Sequence, residues 1–171
     1  MTILAQYATP IGLDDLLMTS DGQVLTGLHF VESRKVSRER LDCQECELPV
    51  FRETRRWLDS YFSGSQPDFT PPYRIDSLTP FRKDVTDAML AIPFGQTTTY
   101  GAIAADIARK RGLAKMSAQA VGGAVGWNPI CIIIPCHRVI GANNALVGYG
   151  GGIGNKIALL AHERNVTVCE G

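Results

Sequence analysis

The chain has no net charge to spend. Its 17 Lys and Arg balance 17 Asp and Glu over 171 residues, which excludes a surface that holds nucleic acid or membrane by bulk attraction alone. It also lacks a long hydrophobic run. The longest apolar stretches fall well short of the ~18–20 residues that span a bilayer, and the start shows no signal-peptide pattern, so no membrane association is expected. Cysteine is sparse and odd in number, five at scattered spacings, which argues against a complete disulfide framework and for a reducing, cytoplasmic setting. Histidine is scarcer still, at three, and none lies at zinc-finger distance from Cys43-Gln44-Glu45-Cys46. That Cys-x-x-Cys reads as two ordinary loop or helix cysteines, and neither metal nor cofactor is expected.

An apolar share of 45% and a charged share of 20% are ordinary for a globular protein, and the length suits one domain or two small ones. The charge is unevenly divided. Residues 1–85 hold 10 Lys/Arg against 13 Asp/Glu, whereas residues 86–171 hold 7 against 4, so the second half is the one suited to a phosphate-facing surface.

Residues 3–31 read as β structure, with Asp21-Gly22 as a hairpin turn between Leu16–Thr19 and Val24–Val31. His29, alternating with Leu28 and Phe30, is expected to face solvent. Val50, Phe51, Thr54, Trp57, Leu58, Tyr61 and Phe62 recur at helical spacing opposite Arg52, Arg55 and Arg56, giving an amphipathic helix ended by Gly64. The proline-bearing stretch 65–78 is the expected boundary, dividing the chain into 1–76 and 77–171. The first half carries no chemistry of its own.

In the second half Thr79-Pro80 caps a helix through Ile92 that Pro93-Phe94-Gly95 ends. Another helix starts at Thr99 or Tyr100 and stops at Gly112. Ser117 caps a third, Ala118 to Trp127, and the last two suggest a helix-turn-helix. The third helix is nearly without bulk. Its interior glycines each cost about 1 kcal/mol relative to alanine, explained either by close packing on a neighbour or by close approach to a ligand backbone. A final helix, about 154–164, is expected to bury Ile157, Leu160 and Ala161, with Lys156 and His162 outward.

Between these helices lies Ile132-Ile133-Ile134-Pro135-Cys136-His137-Arg138-Val139-Ile140-Gly141. Three β-branched residues predict a short buried strand that Pro135 stops. Cys136 follows, beside an imidazole and a cation. A thiol is a strong nucleophile only as a thiolate, and these are the neighbours that ionise it. Adjacency alone leaves a buried, inert cysteine open.

Pro-Cys-His-Arg between aliphatic runs, with Asn128-Pro129 before it and Gly148-Tyr149-Gly150-Gly151-Gly152 after it, resembles the O6-alkylguanine-DNA alkyltransferases, the methylated-DNA–protein-cysteine methyltransferases. The likeness runs from about Thr79 to Glu163, roughly half the chain. It implies an α/β (α+β) fold: a small sheet-plus-helix, ribonuclease H-like N-terminal domain and a mainly helical, winged-helix-like C-terminal domain carrying the helix-turn-helix. It implies irreversible transfer of an alkyl group from guanine O6 in flipped-out duplex DNA to Cys136, without a cofactor, by a monomer. O4-alkylthymine stays open as a second substrate.

In that resemblance His137 is the base, acting through a water, and Glu163 orients its imidazole. Asn128 ties the reactive loop to the recognition helix. Tyr100 donates to the base, Tyr149 stacks on it, the Gly150 N–H reaches the guanine oxygen, and the carbonyls of Cys136 and Val139 read the exocyclic amine. Ser117, Ala118, Gly122, Lys115 and Arg138 belong to the DNA-binding set. Gln119 departs from the pattern, standing where the family carries an arginine finger. Rival readings are a damage-binding relative without chemistry and a helix-turn-helix regulator with an inert cysteine.

Overall fold

A computed structural model describes residues 2–32 and 47–169, with side chains described to residue 164; Cys43 and Cys46 lie outside it. Strands β1 (Ile3–Tyr7), β2 (Leu16–Ser20) and β3 (Leu25–Phe30) form an antiparallel meander in that order. Asp21 makes the β2–β3 turn by accepting from the Gln23 and Val24 amides, with Gly22 at φ +107° where a side chain would be strained. Helix α1 (Pro49–Phe62) lays Val50, Phe51, Thr54, Trp57, Leu58 and Tyr61 inward, as the helical spacing predicts. With Leu16, Met18, Leu28 and Phe30 of the sheet, these aromatics are part of one continuous core that extends into the second half.

Residues 65–78 are irregular, with a turn at Asp76-Ser77, and the Pro72 carbonyl and Arg74 amide bond to both sides of Leu25. Three helices follow, α2 (Pro80–Leu90), α3 (Tyr100–Lys110) and α4 (Ala118–Trp127). Their starts are capped by Thr79, Thr99 and Ser117, each accepting from a backbone amide three residues on. The α3 and α4 helices pack together as a pair, and two-residue strands β4 (Thr98–Thr99) and β5 (Val139–Ile140) join in parallel behind them. Helix α5 (Ile153–Cys169) closes the chain. No helix among the described residues is long and apolar enough to cross a membrane.

Two expectations fail here for identifiable reasons. Ile132–Ile134 is not a strand. Ile132 sits at φ +69°, the Ile133 amide reaches back to the Cys131 carbonyl (2.8 Å), and the chain reverses. Burial alone produced the strand-like composition. What pairs with the sheet is the preceding segment, where the Leu28 amide donates to Pro129 O and the Cys131 amide to Leu28 O, each at 2.9 Å. In α5 the inward face is Asn155, Lys156, Leu159, Leu160 and Glu163, while Ile157 and Ala161 are exposed and His162 is half-buried on the Tyr61 carbonyl. Leu160 is inward as expected, but three polar anchors set the rotation, so a reading by hydrophobicity misplaced Ile157, Ala161 and Lys156.

Gly151 marks where the C-terminal loop meets the sheet. An added Cβ would lie 2.7 Å from Phe30 and 2.8 Å from the Tyr149 ring. Gly151→Ala is expected to cost about 1–3 kcal/mol, read as a lowered denaturant midpoint, because two packed rings must move.

Candidate active site

The segment that carries Cys136 is a stack of tight turns. After the reversal at Ile132, Pro135 at φ −81°, ψ 64° closes a second three-residue turn in which the Cys136 amide donates to Ile134 O at 2.8 Å. A β-branched residue at positive φ costs on the order of 1–3 kcal/mol and persists only where its surroundings over-determine it. Buried Asn128 does part of that. Its amide group donates to the carbonyls of Ile130 (3.3 Å) and Ile134 (2.9 Å), and its oxygen accepts from the Ile130 amide (3.0 Å). Asn128 is also the C-cap of α4, so one side chain joins that helix to the loop.

Cys136 opens a short 3-10 turn, Cys136–Arg138. Its sulfur is almost wholly enclosed, yet its thiol is held down to about 6. The foremost cause is a hydrogen bond from the neighbouring Cys131 thiol, which with His137, Asn128 and Tyr149 outweighs the burial that pushes it up. The Tyr149 hydroxyl lies 3.6 Å from the sulfur. Burial first, and then the Cys136 charge, raises the Tyr149 phenol well above its ordinary value, so it stays protonated and able to donate to a thiolate.

Behind the thiol is a buried carboxylate on which five donors converge. Glu163 Oε1 accepts from the Tyr61 hydroxyl (2.7 Å), from His137 Nε2 (2.7 Å) and from Arg138; Oε2 accepts from Arg138 Nε and the Gly95 amide, each at 3.0 Å. Burial opposes its charge, but His137 and Arg138 prevail and hold its carboxyl at about 2. A carboxylate has no proton to give, so His137 Nε2 carries the hydrogen of that contact. Nδ1, also buried, makes no hydrogen bond to a described residue. In its neutral form the imidazole therefore presents its lone pair from Nδ1.

A cavity of about 1300 Å³ opens over Cys136. Tyr100, Ala118, Gln119, Gly122 and Asn128 line it from the helices, and Tyr149 and Gly150 from the loop before α5. The glycines of α4 do not serve close packing on another helix. A Cβ at Gly123 or Gly126 would meet nothing within 4 Å, and at Gly122 only the Tyr100 ring, at 3.8 Å. They leave a smooth wall facing open space. Ser117 and Lys115 are exposed beside this wall and outside the cavity lining, Ser117 with its hydroxyl on the Ala120 amide.

Arg138 is a correction. Expected among the DNA-binding residues, it is buried, its guanidinium bonded to Glu163 and to Ile92 O (2.7 Å), because a carboxylate at this depth needs a cation. Lys156, expected outward, is fully buried with Nζ on the Val139 carbonyl, about 5.7 Å from the Tyr100 and Tyr149 rings; burial lowers its ammonium. Val139 therefore shares its carbonyl with a lysine and is not on the cavity lining. His29 is half-buried and lines the open cavity. The participants that sequence reasoning missed are Tyr61, Gly95, Cys131 and Lys156. Each reads locally as core, turn or surface, and only Gly95 carried a signal, as the turn glycine at φ +75° whose amide finds Glu163.

Because the Glu163 carboxyl is depressed from 4.5 to about 2, its pairing contributes stability that is complete above about pH 4.5 and is lost as pH falls towards 2. Glu163→Gln should flatten the stability profile over that window. At neutral pH it should cost about 3–5 kcal/mol in denaturant unfolding, since Arg138 is left buried without its partner.

Two family models divide the chain: "6-O-methylguanine DNA methyltransferase, ribonuclease-like domain" matches residues 3–75, and the DNA binding domain of the same name matches residues 80–165. The methylated-DNA–protein-cysteine methyltransferase of Haemophilus influenzae is 37% identical over 92% of this chain and 84% of its own. That of Mycobacterium leprae is 40% identical over 92% and 89%. The crystal structure of Mycobacterium tuberculosis O6-methylguanine methyltransferase superposes with a TM-score of 0.78 at 38% identity, covering 96% of this chain and 94% of that one. The same organism's protein in complex with DNA superposes at 0.75 with 40% identity, covering 94% and 92%. A cysteine with a depressed thiol, set over a buried His–Glu pair and under a smooth helix, therefore stands in a chain that belongs to the methylated-DNA–protein-cysteine methyltransferase family.

Proposed function

We propose that this chain repairs duplex DNA by moving the alkyl group of O6-alkylguanine irreversibly onto Cys136, one lesion per protein molecule. The observation that carries the reading is the Cys136 thiol, held at about 6 at the floor of an open cavity and backed by His137 and Glu163. His137 Nδ1 takes the thiol proton through a water. The thiolate attacks the alkyl carbon, the C–S bond forms as the C–O6 bond breaks, and the electron pair leaves on guanine. Tyr100 donates to the departing base, Tyr149 walls the extruded ring, and the Gly150 amide meets O6. The base can reach this floor only by leaving the stack. The smooth wall at Ala118, Gly122, Gly123 and Gly126 suits the minor groove, which is about 6 Å wide. Lys115 and Ser117 lie at the edge where phosphates pass. The chain acts as a cytoplasmic monomer, with residues 1–76 bracing a DNA-binding and transfer unit of 77–171. The reading as a damage-binding protein or regulator without chemistry is not favoured, given the reactive thiol.

The test is stoichiometric protein with a duplex carrying one O6-methylguanine, followed by peptide mapping. One methyl on Cys136 is expected, no transfer by Cys136→Ser, and a single-turnover rate that falls about tenfold per pH unit below a midpoint near 6, where the thiolate is lost. Methyl on another residue, or a rate indifferent to pH, overturns the assignment. Gln119, exposed at the start of α4, takes the stacking gap left by the extruded base but brings no charge. Gln119→Arg should tighten duplex binding and steepen its salt dependence by about one phosphate contact, and Gln119→Ala should weaken repair. If neither variant changes binding or rate, Gln119 has no such role.

A further inference from the structure

Cys131 neither accepts the alkyl group nor moves a proton in the reaction above, yet its thiol lies against the reacting sulfur and lowers its pKa. Five residues of extended chain would separate positions 131 and 136 by about 17 Å. The reversal at Ile132 removes that distance, and it does so with a β-branched residue at φ +69°. Cys131 is then clamped in place: its amide donates to Leu28 O at 2.9 Å and its carbonyl accepts from the Ile133 amide at 2.8 Å. Neither cysteine is in a disulfide, both are buried among their neighbours, and both line the same open cavity. Two thiols held side by side at the floor of a cavity, one of them reactive, form the arrangement of a redox pair.

Resting on the assignment of Cys136 as the reactive thiol, we propose that Cys131 and Cys136 form a modification site for peroxides, in which Cys131 resolves the oxidised Cys136 as a reversible disulfide. In the first step the Cys136 thiolate attacks one peroxide oxygen. An S–O bond forms, the O–O bond breaks, and hydroxide leaves (alkoxide, for an organic peroxide) and takes up a proton. The sulfur loses two electrons, the peroxide gains them, and Cys136 is a sulfenic acid. In the second step the Cys131 sulfur attacks the Cys136 sulfur. The S–S bond forms, the S–O bond breaks, and the oxygen leaves as water with the Cys131 proton. A dithiol reductant returns both thiols by supplying two electrons and two protons. The consequence suits a protein used once. A second oxidation of Cys136, to sulfinate, would destroy an acceptor that has repaired nothing, and the disulfide forestalls it.

The experiment uses the reduced full-length chain treated with hydrogen peroxide, then split. One portion is peptide-mapped without reduction, and the other is assayed for methyl transfer before and after dithiothreitol. Expected is a loss of two hydrogens confined to the peptide holding Cys131 and Cys136, complete loss of transfer, and its recovery on reduction. In Cys131→Ser and Cys131→Ala, each compared with its own untreated activity, peroxide should instead place two oxygens on Cys136, with no recovery. Sulfinate on Cys136 in the unaltered chain beside a free Cys131, a disulfide to any other cysteine, or equal recovery with and without Cys131 overturns the proposal. Peptide masses report on the pair whatever the transfer assay does, so untreated protein that never methylates Cys136 counts against the repair reading instead.

Discussion

The site depends on one buried carboxylate being kept ionised. Glu163 receives hydrogen bonds from α1 through Tyr61, from the turn after α2 through Gly95, and from the reactive turn through His137 and Arg138. A charge at this depth is tolerable only when donors surround it, and these donors come from three separate parts of the chain. The carboxylate therefore draws the two halves together and orients the imidazole in the same act. The Nε2 hydrogen is committed to Glu163, which in the neutral ring leaves Nδ1 as the acceptor. Structural and chemical roles cannot be separated here, because the group that orders the interior is the group that sets the tautomer.

A second constraint works against the first. The reactive loop holds Ile132 in a left-handed conformation, and the loop is kept there by Asn128 from within and by Leu28 of the sheet from outside. The strain accomplishes a placement. It lifts the Cys136 sulfur to the cavity floor and brings a second thiol against it. The small N-terminal sheet is thus more than a brace, since its third strand hydrogen-bonds the segment from which the loop departs, and its Phe30 packs edge-on against the Tyr149 ring at 6.5 Å.

Much of the fold was legible locally. Asp21-Gly22, the α1 aromatic spacing, the capping residues Thr79, Thr99 and Ser117 and the Pro93–Gly95 stop all act over a few residues, through backbone hydrogen bonds that neighbours in sequence supply. The Ile132–Ile134 run and α5 misled for the same physical reason. A triplet of isoleucines states that a segment is buried without stating its path, and burial in a hydrogen-bonded turn looks the same in composition as burial in a strand. In α5 the polar residues face inward because partners distant in sequence await them, Asp14 for Asn155, the Val139 carbonyl for Lys156 and the His137–Arg138 pair for Glu163.

The sequence by itself determined the element order, the caps and turns, and the presence of a cysteine beside an imidazole and a guanidinium. Tertiary structure decided which way each of those side chains turned. Arg138 goes inward because Glu163 lies there, 25 positions away along the chain. Cys131 becomes a partner of Cys136 because the backbone reverses between them. Tyr61 joins the site from a helix with no chemistry of its own. Local propensity acts through hydrogen bonds a few residues long, whereas the ionisation and orientation of a buried group are set by whatever the folded chain brings within about 3 Å of it.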